Sequence, residues 1–170
     1  MEKKIKVYLI DDRDIIRDTL KLFLNRYKDV EIIGEADSGE DAKADLQDKN
    51  PDVILTDIHM PFMNGYELMD WLKKEKSESK VLVMSVNNED QYVRRSLDKG
   101  AQGFFVKNDP LQELYKAIRQ LFEGSYYLSE SILYLFTSRE RMVDYYFKGI
   151  TVAMDENEIN SFQKKRLLMR

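Results

Sequence analysis

The sequence has no cysteine, and none of its 170 residues belong to a long apolar run. Without cysteine there can be no disulfide framework and no thiolate metal site, which suits a reducing compartment. No segment approaches the roughly 20 apolar residues that a membrane helix needs. The apolar stretch after the basic pair Lys3-Lys4 stops at Asp11, which is too short for the core of a signal peptide. We therefore expect a cytoplasmic protein with no membrane partner.

An excess of basic residues is missing as well. The chain has 27 Lys and Arg against 31 Asp and Glu, which gives a formal net charge of −4. A nucleic-acid-binding domain is more often basic, so the balance argues against the whole chain being a DNA binder. A composition of 43% hydrophobic and 34% charged residues is typical of a globular protein, and the length allows one ordinary domain plus an appendage.

Short apolar, β-branched runs alternate with segments of helical periodicity up to about residue 124. Strands are predicted at residues 5–10, 31–36, 53–56, 80–84 and 103–106. Ser38, with Asp41 three residues later, is expected to cap the second helix, and Asp109 and Pro110 to cap and open the fifth. Because parallel neighbours need right-handed crossovers, the pattern predicts an α/β fold, a doubly wound five-stranded parallel sheet with helices on both faces.

Polar residues stand where the predicted strands end. They are Asp11, Asp12, Asp57, Ser85 and Lys107. Ligands of open α/β sheets bind in the crevice at the carboxyl ends of the strands, so these side chains are expected to converge there. Three carboxylates in one crevice repel each other and need a cation. Mg²⁺ is suitable because it takes hard oxygen ligands and keeps several waters.

This set of residues resembles the receiver domain of two-component response regulators, over residues 5 to about 123. The motifs that carry the resemblance are Asp11-Asp12, Asp57 followed by Met60-Pro61 and Gly65, Ser85, and Lys107. The resemblance implies a flavodoxin-like fold and a signalling protein that takes a phosphoryl group from a partner histidine kinase. Such a protein catalyses its own phosphorylation and dephosphorylation and is not a conventional enzyme.

The resemblance also assigns a role to each residue. Asp57 would be the phosphoryl acceptor. Asp12 and Asp57, with the backbone carbonyl of His59, would hold Mg²⁺, and Asp11 would act through a coordinated water. Ser85 and Lys107 would contact the phosphoryl oxygens.

Four further positions are interpreted with their alternatives. Phe104 matches the aromatic position that moves with the switch, and the alternative is that it is a core residue. His59, the single histidine, is interpreted with Asn87 as a rim residue that tunes water access to the acyl phosphate. Receivers often have a proline after the conserved lysine, joined to it by a cis bond. Here Asn108 follows, and a cis bond without proline costs about 2.5–4 kcal/mol, so the geometry at this bond is open.

Other functions of the fold fit less well. A flavodoxin-like binding protein needs a hydroxyl- and glycine-rich phosphate loop, whereas Asp11-Asp12-Arg13-Asp14 would repel a phosphate. A phosphatase of the haloacid dehalogenase type expects a second acid two residues after the nucleophile, where this chain has His59. A receiver that serves as an interaction module without phosphorylation stays open.

We divide the chain into a receiver domain, residues 1–124, and a helical extension, residues 125–170. Residues 136–151 resemble the opening of a LuxR-type helix-turn-helix domain, and Lys164-Lys165-Arg166 could meet phosphates. The stretch after residue 151 is too short for the remaining helices of that domain. The chain is therefore either a transcriptional regulator with a divergent or shortened DNA-binding domain, or a single-domain signalling module. Its extension would then pack on the receiver or on a second copy. The receiver family often forms homodimers through the fourth and fifth helices.

Overall fold

The computed structural model describes residues 3–136, in which strands and helices alternate. The strands are β1 Ile5–Ile10, β2 Val30–Ala36, β3 Val53–Asp57, β4 Lys80–Ser85, β5 Gly103–Val106 and β6 Tyr127–Leu128. The helices are α1 Asp14–Leu24, α2 Gly39–Asp45, α3 Gly65–Lys74, α4 Asp90–Asp98, α5 Leu111–Phe122 and a 3₁₀ helix, Glu130–Phe136. The predictions for residues 137–170, including the helix-turn-helix likeness and the basic cluster, lie outside the described residues.

All strands belong to one parallel sheet in the order β2-β1-β3-β4-β5-β6. Alternate residues of β1 face opposite sides, since Tyr8 joins one buried cluster and Leu9 the other. The first cluster contains buried residues of α2, α3 and α4, and the second contains those of α1 and α5. The predicted doubly wound α/β fold with helices on both faces is confirmed.

Residues 3–136 contain six strands, one more than the five predicted. After α5 the chain passes Gly124, with φ of +86°, and returns along the open edge of β5. Tyr127 and Leu128 pair there with Gly103 and Phe104 as a sixth, two-residue strand. The division at residue 124 stays a prediction, but within residues 3–136 the chain continues to pack on the sheet as far as the 3₁₀ helix.

One of the two predicted helix caps is present in the structure, and the other is not. Ser38 Oγ accepts a hydrogen bond from the Asp41 amide at 3.2 Å, as predicted for α2. Asp109 does not cap α5, because Pro110 occupies the N-cap position without a side-chain cap bond. The Asp109 carboxylate instead accepts a hydrogen bond from the Ser131 hydroxyl at 2.9 Å.

Candidate functional site

The predicted acidic residues meet at the carboxyl edge of the sheet. Strands β1 and β3 are neighbours with Ile10 opposite Thr56, so the residues that come next, Asp11 and Asp57, end up side by side. Carboxylate oxygens of Asp11, Asp12 and Asp57 all lie within 4.8 Å of one another. Asp11 is fully buried and Asp57 is 7% exposed, whereas Asp12 is exposed. The cluster thus has a buried floor and one acid open to solvent.

Lys107 joins this cluster from the end of β5. Its ammonium donates to Asp57 Oδ2 at 2.6 Å and also to Asp11 Oδ2, and only 8% of its side chain is exposed. Buried charges are stable only when they are paired, so the lysine stabilises both carboxylates. One buried ammonium faces three carboxylates, however, and the site keeps an excess of negative charge that hard cations favour.

Lys107 contacts the acidic side chains although the residue after it is Asn108 and not proline. No cis peptide bond occurs within residues 3–136, so the Lys107–Asn108 bond is trans. The Lys107 amide donates to the Ser85 carbonyl at 2.8 Å, and the Asp109 amide donates to the Val106 carbonyl at 2.9 Å. This tight turn directs the lysine side chain toward the carboxylates, which answers the question left open by Asn108.

Backbone groups fix the orientation of the Asp57 carboxylate. Its Oδ1 accepts hydrogen bonds from the amides of Ile58 at 2.6 Å and His59 at 3.3 Å, which leaves Oδ2 toward Lys107. Gly65, the first residue of α3, packs against the Asp57 backbone so closely that a Cβ would overlap the Asp57 carbonyl oxygen. The glycine of the sequence motif is therefore required by this close approach.

Two arginines support Asp11, and neither was predicted from the sequence. The Arg13 amide donates to Asp11 Oδ1 at 3.1 Å, and the Arg13 guanidinium lies 3.6 Å from the same oxygen. The Arg17 guanidinium donates to the Asp11 backbone carbonyl. Their spacing of four residues across the start of α1 places both on the side of the helix that faces the acids, and that spacing is the signal that could have revealed them.

The remaining predicted residues surround the cluster at different depths. Ser85 is buried at the end of β4, and its Oγ accepts a hydrogen bond from the amide of half-buried Asn87 at 3.1 Å. His59 is exposed, and its ring contacts the Tyr92 ring of α4 edge-on with 5.6 Å between centroids. Phe104 is fully buried in the sheet core, so its side chain packs as a core residue here.

Comparison with known proteins decides the family. The family model described as the response regulator receiver domain matches residues 7–119, which is more than half of the chain. The chain belongs to the response regulator receiver domain family. The resemblance seen in the sequence is thereby confirmed. Among the helices described between residues 3 and 136, none combines the length and the apolar character needed to cross a bilayer.

Three similar proteins illustrate the relationship. Response regulator GacA of Pseudomonas aeruginosa is 36% identical over 128 residues, covering 75% of this chain and 60% of GacA. Transcriptional regulatory protein DegU of Brevibacillus brevis is 33% identical over 131 residues, covering 77% of this chain and 56% of DegU. The solved signal receiver domain of a NarL response regulator from Mycobacterium tuberculosis is 30% identical with a TM-score of 0.70, covering 72% of this chain and 99% of that domain. The chain thus spans less than two thirds of these curated relatives.

Proposed function

We propose that this receiver domain accepts a phosphoryl group on Asp57 and thereby controls an output, and that it is not a conventional enzyme. The supporting observation is the buried cluster in which Asp57 Oδ2 meets the Lys107 ammonium beside the carboxylates of Asp11 and Asp12. Such a cluster has little structural use, because like charges repel and buried charges lose hydration. It suits a carboxylate that must act as a nucleophile at one fixed position.

The donor set fits Mg²⁺. Side-chain oxygens of Asp12 and Asp57, with the backbone carbonyl of His59, would hold the ion, and Asp11 would hold one of its waters. All of these groups are hard oxygen ligands, and the acidic side chains already converge within 4.8 Å of one another. When bound, the ion supplies positive charge that lowers the repulsion between a phosphoryl group and the carboxylates.

The proposed reaction gives each of these side chains a role. A carboxylate oxygen of Asp57 forms a bond to phosphorus while the P–N bond of a kinase phosphohistidine breaks, and its electron pair returns to the imidazole nitrogen. Lys107 and the Ser85 hydroxyl are assigned to the phosphoryl oxygens, where they balance the charge of the transferring group. His59 and Asn87 are assigned to the rim, where they control water access, and Phe104 to the switch that responds to modification.

Phosphorylation can be tested with a small donor. Incubation with acetyl phosphate and Mg²⁺ is expected to add the mass of one phosphoryl group, and the gain is expected to disappear when EDTA removes the metal. Asp57→Asn should abolish it, because an amide cannot form the acyl phosphate. Labelling that persists in this variant would place the acceptor elsewhere and overturn the proposal.

The proposed output is regulation of transcription. One curated relative is named as a transcriptional regulatory protein, and this chain covers 56% of it. On this proposal, residues 125–170 derive from a LuxR-type DNA-binding domain. The alternative is a single-domain module without DNA binding, and it is favoured by the packing of Leu128, Ile132 and Leu135 into the receiver core.

Titration of the full chain with duplex DNA at several salt concentrations separates the two outputs. Binding to DNA weakens steeply with salt, because phosphate contacts release counterions. Affinity with a steep salt dependence would support the transcriptional output. No binding at low salt would remove it and favour the single-domain module.

A homodimer through α4 and α5 is also proposed, because the receiver family often forms dimers through these helices. The exposed positions of these two helices are all polar or charged: Gln91, Arg95, Asp98, Gln112, Lys116 and Arg119. A contact built on them would be sensitive to salt. Sedimentation with and without Mg²⁺ and beryllofluoride, at low and high salt, tests this; an unchanged monomer under all conditions would count against it.

A further inference from the structure

The segment after α5 is bonded to the turn that carries Lys107. This segment, residues 127–136, consists of β6 and the 3₁₀ helix. It runs along the edge of β5, where the Tyr127 amide donates to the Gln102 carbonyl at 3.1 Å and the Ser129 amide to the Phe104 carbonyl at 3.0 Å. The segment therefore reaches the point on β5 from which the chain proceeds to the acidic cluster.

Ser129 completes the edge of β5 where β6 ends. The Val106 amide, immediately before Lys107, donates to Ser129 Oγ at 2.9 Å, and Ser129 is fully buried. The hydroxyl thus takes the place that a carbonyl would have if β6 were longer. A buried amide without an acceptor is costly, so this hydroxyl holds Val106 in its strand position.

A second contact lies on the other side of Lys107. The Ser131 hydroxyl donates to the Asp109 carboxylate at 2.9 Å. The Asp109 amide donates in turn to the Val106 carbonyl at 2.9 Å. The turn of residues 106–109 is therefore held at its first residue by Ser129 and at its last by Ser131.

Apolar packing keeps the segment in place. Leu128, Ile132 and Leu135 are buried in the same cluster as Phe104 and Val106. The two hydroxyls are thus presented from a part of the chain that is anchored in the core. A displacement of the turn has to be shared by this segment, because dense cores deform little.

We propose that Ser129 is a positioning residue for Lys107, and that the segment 127–136 is energetically coupled to the phosphoacceptor through it. Ser129 fixes the Val106 backbone, which in turn fixes the origin of the lysine side chain that contacts Asp57. The inference rests on the proposed function of Asp57. Coupling is reciprocal, so a segment that positions Lys107 also responds when the group facing Lys107 changes.

The first test needs no phosphoryl chemistry. Amide hydrogen exchange is measured on the full chain, unliganded, for the wild type and Ser129→Ala. The matched control is Ser79→Ala. The Ser79 hydroxyl also bonds a backbone group, since it donates to the Pro51 carbonyl at 2.7 Å. It lies just before β4, however, and not at the carboxyl edge of the sheet. Exchange at residues 106–109 is expected to become about tenfold faster in Ser129→Ala and to stay unchanged in Ser79→Ala. Unchanged exchange in Ser129→Ala would overturn the proposal.

The second test measures a property that a purely structural serine would not alter. Beryllofluoride with Mg²⁺ is titrated as the phosphoryl mimic, and Ser129→Ala is expected to bind it about fivefold or more weakly than the wild type. Ser79→Ala should bind as the wild type does. Equal affinity in Ser129→Ala, with the protein folded, would overturn the coupling.

A second variant covers the case in which Ser129→Ala fails to fold. Ser131→Ala removes the exposed contact to Asp109, leaves the buried hydroxyl in place, and is expected to change exchange and affinity in the same direction by a smaller factor. If Ser129→Ala does not fold, no change in either measurement in Ser131→Ala would overturn the coupling of the segment to the turn. If the wild type binds no beryllofluoride and takes no phosphoryl group, the proposed function fails, while exchange at residues 106–109 still decides the role of Ser129.

Discussion

Two groups of polar side chains contact this sheet, and they differ in how completely their charges are matched. On the α2 side, the Tyr8 hydroxyl and the Lys49 ammonium both donate to Asp45 Oδ2 at 2.7 Å. One lysine there faces one aspartate. At the carboxyl edge, one lysine faces three acids. The first arrangement stabilises a helix against the sheet, whereas the second keeps an excess of negative charge even with the Arg13 guanidinium 3.6 Å from Asp11.

The contacts among Tyr8, Asp45 and Lys49 (the α2 group) shift the pKa values of Asp45 and Tyr8. Hydrogen bonding to Lys49, and then to Tyr8, lowers the pKa of Asp45. Burial, and then the hydrogen bond to Asp45, raises the pKa of the Tyr8 phenol well above its ordinary value. Both shifts favour the same state, a neutral tyrosine beside an ionised aspartate.

The largest effect is expected when Lys107 is removed from the acidic cluster at the carboxyl edge. Lys107→Ala leaves the buried Asp11 and Asp57 without their ammonium, so the free energy of unfolding should fall by about 3–5 kcal/mol in the presence of EDTA. Millimolar Mg²⁺ should restore part of it. Urea denaturation of the variant and the wild type, each with EDTA and with Mg²⁺, measures both. Equal stability of the two proteins in EDTA would contradict the assignment.

The next effect concerns the close packing behind Asp57. Gly65→Ala places a Cβ against the Asp57 carbonyl oxygen, so either the start of α3 or the end of β3 has to shift. We expect a loss of about 1–3 kcal/mol in stability and slower labelling by acetyl phosphate. Gly100→Ala is a useful comparison: its φ of +101° strains an alanine, but a Cβ there meets nothing within 4 Å. It should therefore lose stability without slower labelling.

A smaller effect is expected in the α2 group. Tyr8→Phe removes the hydroxyl that donates to Asp45 while the ring keeps its place in the core. Stability should fall by about 0.5–1.5 kcal/mol, measured by denaturant unfolding. The rate of labelling at Asp57 should not change, and a slower rate would show that the two polar groups are not independent.

The smallest effect is a pH dependence. The folded-state pKa of Asp45 is lowered, so its contribution is present above the pKa of the unfolded chain, near 3.9, and is lost as the pH falls through the lower folded value. Lys49→Met should therefore reduce stability at pH 7, and the difference from the wild type should shrink below about pH 4. Thermal unfolding from pH 7 to pH 3 measures it, and a constant difference would contradict the pairing.

The sequence predicts which polar side chains lie at the carboxyl edge, because they follow apolar runs that form the strands. The bounds of β1 and β5 agree with the prediction. In β2, β3 and β4 one bound differs from the prediction by one residue. The approach of Asp11 to Asp57 also depends on β1 lying beside β3. Periodicity does not reveal strand order, so the sequence predicts this approach only on the condition that the two strands are neighbours.

The features that the sequence missed depend on contacts between distant residues. A two-residue strand such as β6 has no periodicity to detect, and its pairing depends on the open edge of β5. Asp109 was expected to cap α5, but its carboxylate bonds Ser131, which is distant in sequence and carries no motif. Ser129 likewise matters only because the Val106 amide lies opposite its hydroxyl.

The closure of β5 by β6 also bears on aggregation. An open sheet can recruit a strand from another chain along each free edge. On one side, β6 and the Ser129 hydroxyl already take up backbone groups of β5. On the other side β2 pairs, within residues 3–136, only with β1, and it presents Glu31 to solvent, where the charge opposes the approach of a second chain. Two different devices thus protect the ends of one sheet from intermolecular strand addition.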